Sequence, residues 1–182
     1  MNVWWDEPLE PSIREQWNNI ADNLQKAVHG SISRRYFTVD DDDCNTQAQE
    51  IHGFADASLK AYGAVIYIQQ ANEVSFVIAK ICVAPLSKLT LHKLELMAAL
   101  VATRLTKFVT ESLNSFYPHT PVHLWSDSQI VLHWIGSQKK QKLQFVSHRI
   151  QEIIQTLMSI HSVELPSNWR QSSRFIDKGN GQ

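Results

Sequence analysis

Three acidic residues stand where the surrounding pattern asks for carbon or a plain turn. Asp56 closes the run Gly53-Phe54-Ala55-Asp56-Ala57-Ser58, Glu95 is set in Leu94-Glu95-Leu96-Met97-Ala98-Ala99-Leu100-Val101-Ala102, and Asp127 lies in Trp125-Ser126-Asp127-Ser128. Each has an ordinary reading. Asp56 can be a turn residue bonded to nearby backbone, Glu95 can edge out to solvent or pair with a lysine, and Asp127 can cap a helix, a task Ser128 could equally perform. An unpaired carboxylate on or beside the apolar stripe of a helix costs several kcal/mol in rough terms, so Glu95 calls for a cationic companion. Three carboxylates brought together repel one another, and a divalent metal with oxygen ligands is the ordinary remedy. Mg²⁺ (or Mn²⁺) suits such a donor set. Two such ions ~4 Å apart make the device for in-line phosphodiester hydrolysis, with water as nucleophile.

Elements must carry these residues to one place. Ile13, Trp17, Ile20, Leu24 and Val28 recur at helical spacing, which predicts an amphipathic helix capped by Ser12 behind Pro11 and ended by His29-Gly30. Residues 1–45 are expected to form a helical connector, with Asp40 to Asp43 as a solvated charge block. From residue 46 the texture changes. Glu50 to Ala57, Tyr62 to Gln69 and Val74 to Val83 read as strands joined by hairpins, the last closed by Pro85. Thr90 begins a helix to about Leu113, with Leu94, Met97, Ala98, Val101, Leu105 and Phe108 on one face. Val122 to Trp125 is a fourth strand, and Gln129 to Ile135 a helix stopping at Gly136. A further helix carries Phe145, Arg149, Ile153 and Leu157, and Ser162 to Leu165 with Trp169-Arg170 suggests a last strand. The order βββαβααβ predicts a five-stranded mixed α/β sheet flanked by helices over 46–182. If the first and fourth strands are neighbours, Asp56 and Asp127 end side by side, and the helix after the third strand can bring Glu95 to them.

Composition narrows the class. The chain has 182 residues, 43% of them hydrophobic, enough for one domain with an appendage and too apolar for wholesale disorder. No apolar stretch is long enough to span a membrane, and the first residues lack a signal-peptide pattern. Cys44 and Cys82 make neither a disulfide framework nor a zinc motif, so the expectation is an intracellular, cytoplasmic protein without a disulfide-linked partner. A net charge of −1 leaves any attraction to nucleic acid to a local patch. Lys88, His92 and Lys93 at the start of the long helix, with Lys139, Lys140, Lys142 and Arg149 later, are the candidates for it. His119 and His123 are four apart, but Pro121 between them forbids a helical zinc pair.

An ordered series of motifs carries a family likeness. It runs through His52-Gly53-Phe54-Ala55-Asp56-Ala57-Ser58 with Ala61-Tyr62-Gly63-Ala64-Val65, then Lys80 to Pro85, then Leu94-Glu95-Leu96 with Ala98-Ala99-Leu100. Trp125-Ser126-Asp127-Ser128 with Val131-Leu132 and Trp134, Phe145-Val146 with Arg149-Ile150, and Trp169-Arg170 complete it. With these the chain resembles the ribonuclease H-like segment of the Pol polyprotein of BEL/Pao-type LTR retrotransposons. Trp5-Asp6-Glu7-Pro8-Leu9 and the first helix look like that family's polymerase–nuclease connection.

The resemblance implies that Asp56, Glu95 and Asp127 fill the first three places of an Asp-Glu-Asp-Asp metal site. Asp56 would bridge two ions, with Glu95 on one and Asp127 on the other. It implies cleavage of the RNA strand of an RNA–DNA hybrid during reverse transcription, the RNA being known by its 2′-hydroxyls, with a reverse transcriptase polymerase domain as partner. The family's Asn-Pro-Ala-Asp-like motif and closing helix are missing after Trp169-Arg170, where Asp177 is the substitute candidate. The expectation is therefore a C-terminally truncated nuclease of weak or no activity. The alternative is a non-catalytic remnant that binds nucleic acid or a polymerase partner. An integrase-like domain ranks below both, because it wants its Glu after the second Asp.

Overall fold

The computed structural model describes residues 7–8, 10–28, 30–31, 36–37, 49–87, 89–115, 119–137, 143–160 and 169–171. The chain divides into two compact units, Met1–Arg35 and Tyr36–Gln182. The first holds helix α1, Pro11–Val28. Pro11 is itself the first helical residue, where its fixed φ and missing N–H cost nothing, so the helix starts one residue before the expected Ser12 cap. Glu10 carbonyl accepts from the N–H groups of Ile13 and Arg14 at 3.0 and 2.9 Å.

The second unit follows the order β1 (Gln49–Ala57), β2 (Ala61–Gln70), β3 (Glu73–Val83), α2 (Leu91–Leu113), β4 (Val122–Ser126), α3 (Gln129–Gly136), α4 (Gln144–Met158) and β5 (Trp169–Gln171). The expected succession of strands and helices is thus present. The strands lie side by side as β3-β2-β1-β4, with the three-residue β5 beside β4. The two hairpins are antiparallel, whereas β4 runs parallel to β1 and β5 parallel to β4. Ala71 takes φ 51°, the left-handed conformation that a tight turn between Gln70 and its partner Glu73 demands. Ser162 to Leu165, read as part of the last strand, lie outside the described residues, as does the acidic run Asp40 to Asp43.

Side chains alternate across the sheet. Ile51, Ile66, Ile68 and Leu124 are fully buried, as are Leu96, Ala98, Ala99 and Ala102 of α2 and Ile153 and Leu157 of α4. Each of the larger ones contributes about 2 kcal/mol by leaving water. Gly53 lets α2 come close: a Cβ there would stand 2.6 Å from Leu124 Cδ2 and 3.3 Å from Thr106 Oγ1.

Two expected faces need correction. On α2 the buried arc is wider than one stripe, taking in Leu96, Ala99, Leu100 and Thr103, because the helix meets both the sheet and α4; Phe108 falls outside it and is exposed. On α4 the buried residues are Val146, Ile150, Ile153 and Leu157. A strict interval of four drifts off the 3.6-residue period, which leaves Phe145 and Arg149 on the half-buried shoulder.

Candidate functional site

β1 and β4 are parallel neighbours with Ala55 paired to Ser126. The next residue of each strand is an aspartate, so Asp56 and Asp127 leave adjacent strand ends at the same level. Both are exposed. Asp56 Oδ1 accepts from the Ala57 N–H at 2.7 Å, a local bond made inside β1 and not in the expected turn.

The capping alternative for Asp127 falls away. Ser128 is the N-cap of α3, and its hydroxyl oxygen accepts from the Val131 N–H at 3.4 Å. Asp127 is therefore not spent on the helix.

Glu95 has neither escaped to solvent nor found a lysine. Its side chain is 14% exposed, and Oε2 accepts from the Ser128 hydroxyl at 2.5 Å and faces His92 Nδ1 at 3.2 Å. Ser128 thus caps α3 and tethers Glu95 with one oxygen. Sequence reasoning named Ser128 only as a cap. The second role is a contact 33 residues away along the chain, and no local spacing reports it.

Electrostatics tie the three together. The Asp127 carboxyl is held above its ordinary range, first by loss of hydration to surrounding protein, then by the negative charge of Asp56 and, more weakly, of Glu95. A backbone hydrogen bond opposes the rise. The donors are all carboxylate oxygens, the chemistry a hard divalent cation takes. Among the described residues, however, no three His, Cys, Asp or Glu side chains stand close enough to hold one ion as they are.

Of the expected basic candidates, His92 and Lys93 on the first turn of α2 and Arg149 on α4 fall among the described residues; Lys88, Lys139, Lys140, Lys142 and Asp177 lie outside them. Cys82 is a free thiol, and Cys44 also lies outside. None of the described helices is long and apolar enough to cross a membrane.

By alternation from Gly53, His52 and Phe54 face away from α2. That face carries an aromatic array absent from the expectations. Phe54 stacks on Trp125 at 6.1 Å and meets Tyr67 edge-on, and Tyr67 meets Phe76. The Trp125 Nε1–H donates to His52 Nδ1 at 3.3 Å. Trp125 is 7% exposed and so serves packing. A groove of about 350 Å³ opens beside Asp56, with Phe54, Gly63, Val65, Ala79 and Ile81 in its lining.

A family model described as Pao retrotransposon-like RNaseH-like domain matches residues 1–128. The chain belongs to this family. Among solved structures, this RNaseH-like domain is similar to RNase H1 from the halophilic archaeon Halobacterium salinarum. The identity is 13%, over 67% of this chain and 83% of that one, with a TM-score of 0.41. LC11-RNase H1 in complex with an RNA/DNA hybrid, an enzyme isolated from compost, matches at 14% identity over 68% of this chain and 82% of its own, with a TM-score of 0.42. The foamy viral protease-reverse transcriptase in complex with dsDNA matches at 13% identity and a TM-score of 0.47. There 93% of this chain covers 29% of the larger protein. No curated protein sequence matches the chain.

Proposed function

We propose that this RNaseH-like domain is a metal-dependent endonuclease that cuts the RNA strand of RNA–DNA hybrids in reverse transcription, in the cytoplasm and alongside a polymerase domain. The observation that supports it best is the parallel register of Ala55 with Ser126, which starts two aspartates from neighbouring strand ends, with Asp127 in electrostatic reach of both Asp56 and Glu95. Asp56, Glu95 and Asp127 would hold two Mg²⁺ or Mn²⁺ ions. When bound, such ions neutralise the carboxylates and supply the Lewis acidity that readies water and steadies the leaving oxygen. Ser128 and His92 set the direction of Glu95, and the strand ends fix where both aspartates leave the sheet. Lys93 would meet substrate phosphate, as would Lys88, Lys139 and Lys140.

One observation favours the non-catalytic reading. Glu95 Oε2 is already engaged by Ser128 and His92, as in a carboxylate kept for structure. A labelled RNA–DNA hybrid with Mn²⁺ separates the two. The nuclease reading predicts RNA-strand cleavage that falls by about 10²-fold or more in Glu95→Gln; binding without cleavage supports the remnant instead.

A further inference from the structure

Helices α2 and α4 run side by side in the same direction. Their contacts ascend together: Lys93 with Phe145, Met97 with Arg149, Arg104 with Glu152. The starts of both helices therefore lie at one end of the domain, the end at which Glu95 leaves the first turns of α2. There two cations share one aromatic ring. The Arg149 guanidinium carbon is 3.5 Å from the Phe145 ring centroid and Lys93 Nζ is 5.5 Å from it. Arg149 is held in place, donating from Nε to Met97 Sδ and from an Nη to the Phe145 carbonyl at 3.1 Å.

What the pair lacks is an anion. Arg104, farther along α2, is neutralised by Glu152, and Lys107 by Glu111 at 3.7 Å. Neither Lys93 nor Arg149 has a carboxylate within ion-pair distance among the described residues. Like charges gathered on one ring repel, and the ring's attraction offsets only part of that. A fixed guanidinium beside a mobile ammonium suits a phosphate, which takes a planar fork from the first and a point charge from the second.

We infer that Lys93 and Arg149, seated on Phe145, form a binding site for one backbone phosphate of the hybrid, flanking the carboxylates. This rests on the nuclease reading for the identity of the substrate. What is new is the pairing: Arg149, 56 residues from Lys93 along the chain, is fixed on the same Phe145 ring. The site positions substrate and takes no part in the chemistry.

The test is hybrid binding by the full chain in EDTA, read by fluorescence anisotropy at several KCl concentrations. One lost phosphate contact predicts that Arg149→Gln and Lys93→Gln each reduce the slope of log K against log salt by up to about 0.9 and weaken binding near 0.1 M KCl by roughly 5- to 10-fold. Lys107→Gln keeps the wild-type slope. Circular dichroism establishes that each variant is folded, and Lys93→Gln remains informative if Arg149→Gln is not. Slopes equal to wild type in the folded variants overturn the phosphate site, even where the wild type cleaves. Reduced slopes in a chain that never cleaves uphold the site and count against the nuclease alone. A chain that does not bind hybrid overturns both.

Discussion

At the residue scale, the crowding that would suit the carboxylates to a metal weighs on stability without one. Asp127 is protonated more readily in the folded chain than in the unfolded one, so its contribution to stability is greatest below the ordinary carboxylate pKa and is lost as pH rises through the raised value. At neutral pH without metal, Asp127→Asn should therefore stabilise the fold. The aspartate is exposed, so solvent screening keeps the gain small. We expect a Tm rise of about 1–3 °C by thermal circular dichroism; a fall would mean that Asp56 and Glu95 do not burden it. His52 behaves in the reverse sense with pH. Its pKa is lowered by burial first and then by His123, against the pull of Glu50. Trp125 donates to its Nδ1, which places the proton of neutral His52 on Nε2, toward Glu50 at 3.4 Å. Stability held above the ordinary histidine range is then lost as pH falls below about 6.5. His52→Gln should flatten Tm against pH in that window, and an unchanged slope would assign the loss to other groups.

At the element scale, the approach of α2 to the sheet depends on Gly53. An added methyl meets Leu124 and Ile66 side chains at 2.6 and 3.0 Å, so Gly53→Ala should cost about 1–3 kcal/mol in urea unfolding; a change below about 0.5 kcal/mol would show that the layers are looser than described. Element order was legible because it depends on local signals: β-branched runs, Pro85 after β3, Ser128 before α3. The faces were less so. Phe108 sits at a helical interval from Leu105 and Val101, yet the packing of α2 between sheet and α4 turns it outward, a tertiary effect that one helix's periodicity does not contain. The aspartates were legible as strand-end residues that their turns and caps did not require. The Ser128–Glu95 bond and the stack of Phe54 on Trp125 join distant segments, so only the folded chain displays them.

At the scale of the whole molecule, a formal charge of −1 gives no general pull on a polyanion, so the proposed hybrid cleavage would draw on local fields, the three carboxylates and the proposed phosphate site of Lys93 and Arg149. The central claim concerns the strand ends, and calorimetric titration of the full chain with Mn²⁺ tests it most directly. Saturable binding that is lost in Asp56→Asn is the predicted result; a titration indistinguishable between wild type and Asp56→Asn would contradict it.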